Sequence, residues 1–257
     1  MAHTTATISR IITENSKVRT FELACDISAS PGQFVMVWLP QVDEKPFCVV
    51  SPSPLTISIA KVGAFTTKIW ELKEGDKVAF RGPYGKGFSP KGKEILLVGG
   101  GYGAAPLYFL ASQAKAKGIK VNVVLGARTA DELLFEEKFA KLGCNVVIAT
   151  NDGSKGLQGF STIAAFGVMD KTKIDAVYSC GPEKMMQAIA KECQKRKIPC
   201  QLSLERFCKC GFGICGSCTI NGYRVCQDGP VFEGEFLLGL DEFGAVKRSA
   251  AGQAEKM

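Results

Sequence analysis

Five of the eleven cysteines in this chain fall within nineteen residues near its C-terminal end. They are Cys208, Cys210, Cys215, Cys218 and Cys226. The same segment is rich in glycine and has too few regularly spaced apolar residues to bury a core of its own. Because a bound metal centre can supply the folding free energy that such a segment lacks, we expect a cofactor to organise it. No other feature constrains the fold as strongly.

Four of these cysteines have the spacing of an iron–sulfur site. Cys210, Cys215 and Cys218 give C-x4-C-x2-C, and Cys226 follows after seven intervening residues. The first three match the plant-type [2Fe–2S] spacing. Three glycines within the loop would let backbone N–H groups turn toward the cluster sulfurs and stabilise their negative charge. These glycines are Gly211, Gly213 and Gly216.

The alternatives to this ligand set are a structural zinc site and an iron–sulfur site that uses Cys208. A structural zinc site usually has two C-x2-C pairs or histidines, whereas this segment contains one such pair. Cys208 is the spare cysteine and could replace a ligand in another set. Cys210 is preferred over Cys208 because only Cys210 gives the four-residue gap to Cys215.

Composition indicates a globular protein whose chemistry comes from a cofactor. The 257 residues suffice for two domains, 46% are hydrophobic and 22% are charged, and no apolar run reaches the roughly 18 residues of a membrane span. The net charge of +7 comes without aromatic interleaving or an arginine-rich arm, so we expect neither nucleic acid nor membrane as a partner. With His3 as the one histidine, catalysis by Ser-His or Cys-His pairs is excluded.

The opening residues and the cysteine content together predict a cytoplasmic protein. Residues 1–10 have no basic segment followed by an apolar core, so they do not resemble a secretory signal. In a reducing compartment, clustered cysteines point to metal ligation or redox chemistry rather than to disulfides.

The chain divides into three parts by pattern. Residues 1–90 contain short β-type runs broken by turn residues, which predicts a small antiparallel barrel or sandwich. Residues 91–204 alternate apolar strands with helical stretches, which predicts a doubly wound parallel sheet with helices on both faces. Residues 205–257 form the small cysteine-rich domain.

A glycine-rich turn follows the first predicted strand of the second domain. Gly99, Gly101 and Ala104 have the G-x-G-x-x-A spacing of a pyrophosphate-binding turn, and Gly100 and Gly103 lie within it. A plain tight turn between strand and helix is the alternative. The acidic residue usual after the second strand is missing, since Arg128 stands there. Arg128 could meet a 2′-phosphate or be a surface residue, so the sequence does not decide between NADH and NADPH.

A second turn lies at the end of a later strand. Cys180, Gly181 and Pro182 precede a predicted helix, and proline suits the first turn of a helix. Because ligands of open α/β sheets bind beyond the carboxyl ends of the strands, Gly99 and Cys180 together could frame a nicotinamide. Cys180 could equally be a packed core residue.

Two segments of the first domain are ambiguous when taken alone. Lys45, Pro46, Phe47 and Cys48 could mark the entry to an edge strand. Residues 63–67, GAFTT, could present N–H and hydroxyl groups to a diphosphate or could cap a helix.

Residues 1 to about 200 resemble the ferredoxin–NAD(P)H reductase superfamily. The resemblance rests on KPFC, GAFTT, GPYGKGF at 82–88, GGGYGAAP and SCGPEKM. The C-terminal CKCGFGICGSCTINGYRVCQDGPVF resembles the iron–sulfur, electron-transfer subunits of type B dihydroorotate dehydrogenases, and the order of the three domains also matches that family.

The resemblance implies FAD in the barrel, with Phe47 against the isoalloxazine, Lys45 near a phosphate and Cys48 near the ring edge. Further residues are implied to hold the ribityl and diphosphate parts, namely Ser58, Ile59, Ala60, Phe65 and Thr66. Lys45 and Cys48 stand where the superfamily more often has arginine and serine, so a bidentate arginine contact would be lost.

The resemblance further implies NAD(H) beside Cys180 and electron transfer through FAD and the cluster to the FMN of a separate dihydroorotate dehydrogenase catalytic subunit. The expected assembly is a hetero-oligomer with two of each subunit, working in pyrimidine (UMP) biosynthesis. Similar modules serve hydrogenases and sulfite reductases, which leaves another partner open. An alternative of another class is a non-catalytic, zinc-stapled interaction protein.

Overall fold

The computed structural model describes residues 2–249 and 253–256. Its first part is the predicted antiparallel barrel, closed in the strand order β1-β2-β5-β4-β3-β6. The strands are β1 (Thr4–Thr13), β2 (Val18–Leu23), β3 (Phe34–Leu39), β4 (Asp43–Pro52), β5 (Leu55–Ala60) and β6 (Lys77–Tyr84), with helix α1 (Ala64–Ile69) between β5 and β6. Closure pairs the strands in a ring, so no strand is an edge strand along its whole length.

The sequence pattern predicts strand β4 only as a possible strand entry at Lys45 to Cys48. Its first half carries two acidic residues, a lysine and Pro46, all of which are uncommon in strands. Along this half β4 pairs only with β3, and it pairs with β5 only from Val49 onward. Pro46 therefore lies at an edge-like position, where a missing N–H costs no ladder hydrogen bond.

The second part of the chain is the predicted α/β unit. Its strands are β7 (Glu94–Gly100), β8 (Lys120–Ala127), β9 (Asn145–Thr150), β10 (Leu157–Gln158), β11 (Ala176–Cys180) and β12 (Cys200–Ser203), and its helices are α2 (Ala104–Ala116), α3 (Glu136–Lys141), α4 (Ser161–Lys171) and α5 (Glu183–Arg196). The sheet order begins β10-β9-β8-β7-β11-β12, and these strands are parallel. Gly99 on β7 pairs with Cys180 on β11, so the two strands end side by side.

Helices cover both faces of this sheet. Residues of α2 and Phe139 of α3 share one core with one face, and residues of α4 and α5 share another core with the opposite face. In α5 the buried Met186, Ile189, Ala190 and Cys193 recur at the spacing of one helical face. Within the described residues, no helix is both long enough and apolar enough to cross a membrane.

The C-terminal segment attaches to the sheet rather than standing apart from it. Its elements are β13 (Thr219–Ile220), β14 (Tyr223–Arg224), α6 (Val225–Asp228), β15 (Val231–Glu233), α7 (Gly234–Leu238), β16 (Val246–Arg248) and β17 (Ala254–Lys256). Strand β15 runs antiparallel along β12, with Phe232 opposite Leu202, and becomes the seventh strand. Buried residues of the segment join the core on the α5 face, which supplies the burial that the segment could not achieve alone.

Candidate functional site

The cysteine-rich loop begins just after β12 and brings the four predicted ligands together in two pairs. Cys210 and Cys215 are in side-chain contact, and so are Cys218 and Cys226. Among the described residues, no three His, Cys, Asp or Glu side chains are grouped around a single metal position. Pairing suits a [2Fe–2S] cluster, in which each of the two irons takes two protein ligands.

Backbone N–H groups of the loop point at the sulfurs. The Cys210 Sγ accepts from the N–H groups of Ile214 at 3.4 Å and Cys215 at 3.5 Å. The Cys226 Sγ accepts from Gly213 at 3.2 Å, and the Cys218 Sγ accepts from Cys226 at 3.4 Å. Gly213 has a φ of +86°, a conformation that costs glycine little. These donors stabilise negative charge on the sulfurs, as predicted for the glycine-rich loop.

Hydrogen bonds lower the pKa of two of the predicted ligand thiols. Burial raises the pKa of Cys210, but the backbone N–H groups of Cys215, Phe212 and Ile214 outweigh burial and lower that pKa to about 6. Side-chain hydrogen bonds from Cys208 and Cys226 lower the pKa of Cys218 to about 3. Because metal ligation requires thiolates, Cys210 and Cys218 suit the role of ligands. The contact with Cys218 and burial raise the pKa of Cys226, so this thiol would have to lose its proton on ligation.

Solvent exposure divides the loop into an outer and an inner side. Cys215 is exposed, whereas Cys218 and Cys226 are buried. Ile214 is 77% exposed beside Cys215. Phe212, by contrast, packs on the barrel, with the Arg81 guanidinium 5.3 Å from its ring centroid. The Cys210–Cys215 side of the loop therefore faces the surface.

The two predicted nucleotide turns lie against each other at the ends of β7 and β11. A side chain at Gly103 would place its Cβ 2.0 Å from the carbonyl oxygen of Cys180, and a Cβ at Gly181 would lie 3.0 Å from the backbone of Gly100. Gly101, by contrast, has open space around its Cβ position. The structure thus brings together Gly99, Gly100, Gly101, Gly103 and Ala104 with Cys180, Gly181 and Pro182.

Arg128, which follows the second strand of the sheet, is exposed and already paired. Its guanidinium donates to Glu132 through Nε at 2.9 Å and Nη2 at 2.8 Å. This pair neutralises the arginine locally, so a 2′-phosphate would have to compete with Glu132 for it.

The predicted barrel residues occupy β4, β5 and α1. The Phe47 ring stacks on Phe65 with centroids 6.0 Å apart, which joins β4 to α1. The Lys45 ammonium contacts Asp43 and lies 5.2 Å from the ring centroid of Phe207, just ahead of the cysteine loop. Lys45 therefore lies near the start of the cysteine loop, whereas Phe47 packs against α1.

Polar groups on β5 and α1 have partners within the protein. The Ser58 hydroxyl lies 2.7 Å from that of Thr20. The Thr66 hydroxyl accepts from the N–H groups of Val62 and Gly63 at 2.9 Å each and so caps the start of α1. The side chain of Ile59 is buried in the barrel core and Ala60 is half-buried, which leaves their backbone groups as the ligand-binding candidates.

Cys48 of the barrel, Cys180 of the sheet and Glu205 lie near one another. Burial raises the pKa of Cys48 to about 12, with a further contribution from the Glu205 carboxylate. Burial, Cys48 and Glu205 raise the pKa of Cys180 well above its ordinary value. Both thiols are therefore protonated at neutral pH and present a neutral, polarisable surface.

Glu205 was not among the residues predicted from the sequence. Its side chain is exposed, yet the protein atoms around it desolvate the carboxylate enough to raise its pKa. Its position just beyond the carboxyl end of β12 is where open α/β sheets bind ligands. That position was the signal that could have identified it.

Two parts of the chain match models of known protein families. Residues 205–238 match the iron–sulfur cluster binding domain of dihydroorotate dehydrogenase B. Residues 97–191 match the oxidoreductase NAD-binding domain. The first match contains all five clustered cysteines, and the second contains both nucleotide turns.

Relatives with similar sequences span almost the whole chain. A protein of Methanocaldococcus jannaschii, described as a probable dihydroorotate dehydrogenase B (NAD(+)) electron transfer subunit, is 46% identical over 96% of this chain and 95% of its own length. Proteins of Methanothermobacter thermautotrophicus and Thermococcus kodakarensis with the same description are 45% and 44% identical, over 96% and 91% of this chain and 94% and 97% of their own lengths.

Solved structures have the same architecture. An NADH-dependent reduced ferredoxin–NADP oxidoreductase, studied for flavin-based electron bifurcation, superposes with a TM-score of 0.81 at 30% identity over 92% of this chain and 89% of its own. The Amycolatopsis cytochrome P450 reductase superposes with a TM-score of 0.67 at 25% identity over 77% of this chain and 67% of its own.

Proposed function

Since the chain belongs to the family of electron-transfer subunits of NAD(+)-dependent dihydroorotate dehydrogenase B, we propose that it carries electrons between NAD(H) and a partner dihydroorotate dehydrogenase catalytic subunit. The route runs through FAD and a [2Fe–2S] cluster to the FMN of the partner. The process served is de novo pyrimidine biosynthesis.

One observation carries this proposal: the nucleotide turns, the predicted FAD strand and the cysteine loop meet at one place. A Cβ on Gly211 of the loop would lie 2.7 Å from Met36 of β3, so the loop packs directly on the barrel. Cys180, at the end of β11, lies near Cys48 of β4. Short separations of this kind suit electron transfer between cofactors.

The residues that would hold each cofactor follow from this arrangement. Cys210, Cys215, Cys218 and Cys226 would ligate the cluster. FAD would lie along Lys45, Pro46, Phe47, Cys48, Ser58, Ile59, Ala60, Phe65 and Thr66. NAD(H) would lie on Gly99, Gly100, Gly101, Gly103, Ala104, Gly181 and Pro182, with Cys180 next to the nicotinamide. Bound FAD would supply the exchange between two-electron hydride chemistry and one-electron transfer.

The two neutral thiols Cys48 and Cys180 suit contact with a flat ring system. Cys48 and Cys180 stay protonated at neutral pH because burial raises the pKa of each thiol, so neither acts as a nucleophile. They offer small, soft surfaces against which rings can pack. The chain's own contribution is therefore to bind, orient and shield the reacting groups, and the base that acts on dihydroorotate belongs to the partner.

The outer side of the cysteine loop is the proposed exit for electrons. Ile214 and Cys215 are exposed there, so a partner protein can approach the ligand sulfurs closely. We propose a hetero-oligomer with two copies of each subunit. A cytoplasmic location is supported by the eleven cysteines, none of which forms a disulfide, since this suits a reducing compartment.

The test is reconstitution with the catalytic subunit. Dihydroorotate-dependent NAD+ reduction is measured with each subunit alone and with both, and bound flavin, iron and acid-labile sulfide are measured on this chain. We expect activity only when both subunits are present. A Cys144→Ala variant is the matched control, because Cys144 is a half-buried thiol outside the cysteine loop.

Two results would contradict parts of the proposal. Bound FAD and iron without dihydroorotate activity would keep the cofactors but assign another partner, such as a hydrogenase or a sulfite reductase. A colourless chain that binds zinc would overturn the electron-transfer function altogether.

A further inference from the structure

A buried ion pair connects the second nucleotide turn, at residues 180–182, to the segment that leads into the cysteine loop. The Arg206 Nε lies 2.7 Å from the Glu183 Oε1, and the Arg206 Nη2 donates to the Glu183 Oε2 at 2.8 Å. The two side chains are 2% and 4% exposed. Glu183 is the first residue of α5 and directly follows the turn, so the pair holds the end of the turn that would contact the nicotinamide.

Residues near the C-terminal end close over this pair. The Gly244 N–H donates to the Glu183 Oε2 at 2.9 Å, and the Arg206 Nη1 donates to the carbonyl oxygen of Val246 at 2.5 Å. The carboxylate and the guanidinium thus have partners besides each other. Because each of these contacts has a preferred direction, together they fix the turn and residue 206 in one relative arrangement.

The same segment also contacts the barrel. Phe207 follows Arg206, and the Lys45 ammonium lies 5.2 Å from the Phe207 ring centroid. Lys45 belongs to β4, the strand along which FAD is proposed to lie. Two consecutive residues therefore connect the nicotinamide turn and the flavin strand.

Net stability is a weak reason for burying such a pair. The desolvation of two charges offsets much of their attraction, and apolar residues of similar volume are often at least as stabilising. A bidentate pair between arginine and a carboxylate does add a defined geometry. Orientation matters for the proposed reaction, since a misplacement of about 1 Å can slow a reaction about a hundredfold.

We propose that Glu183 and Arg206 are positioning residues whose ion pair holds the turn at residues 180–182 in the orientation in which NADH can transfer a hydride to FAD. This inference rests on the proposed function. The hydride leaves the nicotinamide with both electrons of its C–H bond and bonds to the flavin, so that NADH becomes NAD+ and FAD becomes the reduced flavin anion. The pair acts on this step through the turn.

The experiment compares the wild-type holoprotein with the double variant Glu183→Leu with Arg206→Met, which replaces the pair by apolar side chains and leaves no charge buried. Stopped-flow flavin absorbance over a series of NADH concentrations gives the limiting rate constant of flavin reduction and the dissociation constant of NADH. We expect the limiting rate constant to fall about tenfold. The dissociation constant should stay unchanged, because the glycine turn at residues 99–103 is intact.

Hydrogen–deuterium exchange without nucleotide provides a readout that does not depend on the reaction. The backbone amides of residues 180–187 and 204–210 should exchange faster in the double variant than in the wild type. Those of β8, on the other side of β7, should exchange at the same rate in both proteins. Faster exchange at both ends of the missing pair is what a loss of positioning requires.

Two further variants complete the series. Arg196→Met is the matched control, since it breaks an ion pair with Asp170 at the other end of α5, and it should leave the limiting rate constant unchanged. Arg206→Lys keeps a positive charge beside Glu183 but loses the planar fork, so its rate constant should lie between those of the wild type and the double variant. It also carries the test if the double variant does not fold.

The outcomes separate this inference from the proposed function. A wild-type limiting rate constant in the double variant or in Arg206→Lys would overturn the inference. A higher dissociation constant with an unchanged rate constant, or unchanged exchange at residues 180–187, would overturn it as well. A wild-type protein without flavin, or with flavin that NADH does not reduce, would overturn the proposed function itself.

Discussion

The parallel sheet and the cysteine loop lie next to each other but are stabilised in different ways. In the sheet, Ile95, Leu96, Leu97 and Val98 of β7 are fully buried, and helices cover both faces. In the loop, residues 208–218 contain no helix or strand, and hydrogen bonds run from the backbone to sulfur. The sheet therefore holds its geometry by burial, whereas the loop needs a bound group to neutralise and connect its sulfurs.

The two regions also have different proposed roles. Rigid strands fix the two glycine turns that would hold a nucleotide, and the loop places sulfurs at the surface where electrons would leave. A buried ion pair joins them: Arg206, just ahead of the loop, meets Glu183 at the start of α5 at 2.7 Å, with side chains 2% and 4% exposed. The predictions that follow test how far the two regions behave independently.

The largest expected effect comes from removing a ligand. Cys215→Ala should abolish the cluster and reduce electron transfer to the partner to background, because one iron would lose half of its protein ligands. Flavin content and NADH oxidation with an artificial acceptor should persist, since neither depends on the loop. Iron analysis, flavin absorbance and limited proteolysis of residues 208–218 measure these outcomes, with Cys144→Ala as control. If the variant also lost its flavin and the parallel sheet became sensitive to proteolysis, the two regions would not be independent.

The second prediction concerns the ion pair that joins the regions. Arg206→Met should lower the free energy of unfolding by about 3 to 5 kcal/mol, because it leaves the Glu183 carboxylate buried without its partner. Burial already raises the pKa of Glu183. The double variant Glu183→Leu with Arg206→Met should be less destabilised than Arg206→Met alone, since no charge remains buried.

Urea unfolding measures both variants, and Lys191→Met on the exposed side of α5 is the control, with an expected change within about 0.5 kcal/mol. A double variant at least as unstable as the single one would mean that the pair adds net stability. A second unfolding transition in Arg206→Met, confined to the cysteine loop, would show that the ion pair couples the unfolding of the loop to that of the sheet.

The fold was predictable from the sequence where local pattern decides it. Apolar runs revealed β7, β8, β9 and β11, and strand–helix alternation revealed the parallel sheet. Strand β4 was predicted only as a possible strand entry, because charges and Pro46 obscure its pattern. Strand β15 was missed because it contains only three residues, whose partner β12 lies in another part of the chain.

For the candidate site, the sequence predicted the motifs but not the contacts between distant segments. Spacing alone identified the cysteine loop and the glycine turn, and the structure brings each set together. The assignment of individual side chains to FAD, NAD(H) and cluster stays a prediction. Glu205 and the pairing of Arg206 with Glu183 could not be found by pattern, since both depend on tertiary contacts between distant segments.

The third prediction contrasts two glycines in the nucleotide turn. Gly103→Ala should destabilise the turn by about 1 to 3 kcal/mol, because the new Cβ would lie 2.0 Å from the carbonyl oxygen of Cys180. We expect the KM for NADH to rise about tenfold, which corresponds to 1.4 kcal/mol, while iron content is unchanged.

Gly101→Ala is the matched variant. Its Cβ would meet nothing within 4 Å, and its φ of +54° is the only obstacle, so it should cost about 1 to 2 kcal/mol through backbone strain alone. Equal effects of both substitutions on KM would mean that the close contact with Cys180 does not shape the nucleotide turn.

The smallest expected effect lies where the barrel supports the cysteine loop. Arg81 donates to Glu44 at 2.7 Å and stacks over Phe212 of the loop. Burial raises the pKa of Glu44, but hydrogen bonds from Arg81 and His3 outweigh it and hold that pKa below the ordinary 4.5. A lowered carboxyl pKa contributes stability that is fully present above the unfolded value and is lost as pH falls through the folded one.

Glu44→Gln should therefore lower the free energy of unfolding by about 1 kcal/mol at pH 7, and the difference from wild type should shrink as pH falls below 4.5. Denaturant unfolding at a series of pH values measures this, and Glu74→Gln, at another glutamate of the barrel domain, is the control. A difference that stayed constant with pH would mean that the contact with Arg81 acts through packing rather than charge. In that case the barrel would stabilise the loop by packing, as burial stabilises the sheet. The loop and the sheet would then differ only in the hydrogen bonds to the cysteine sulfurs.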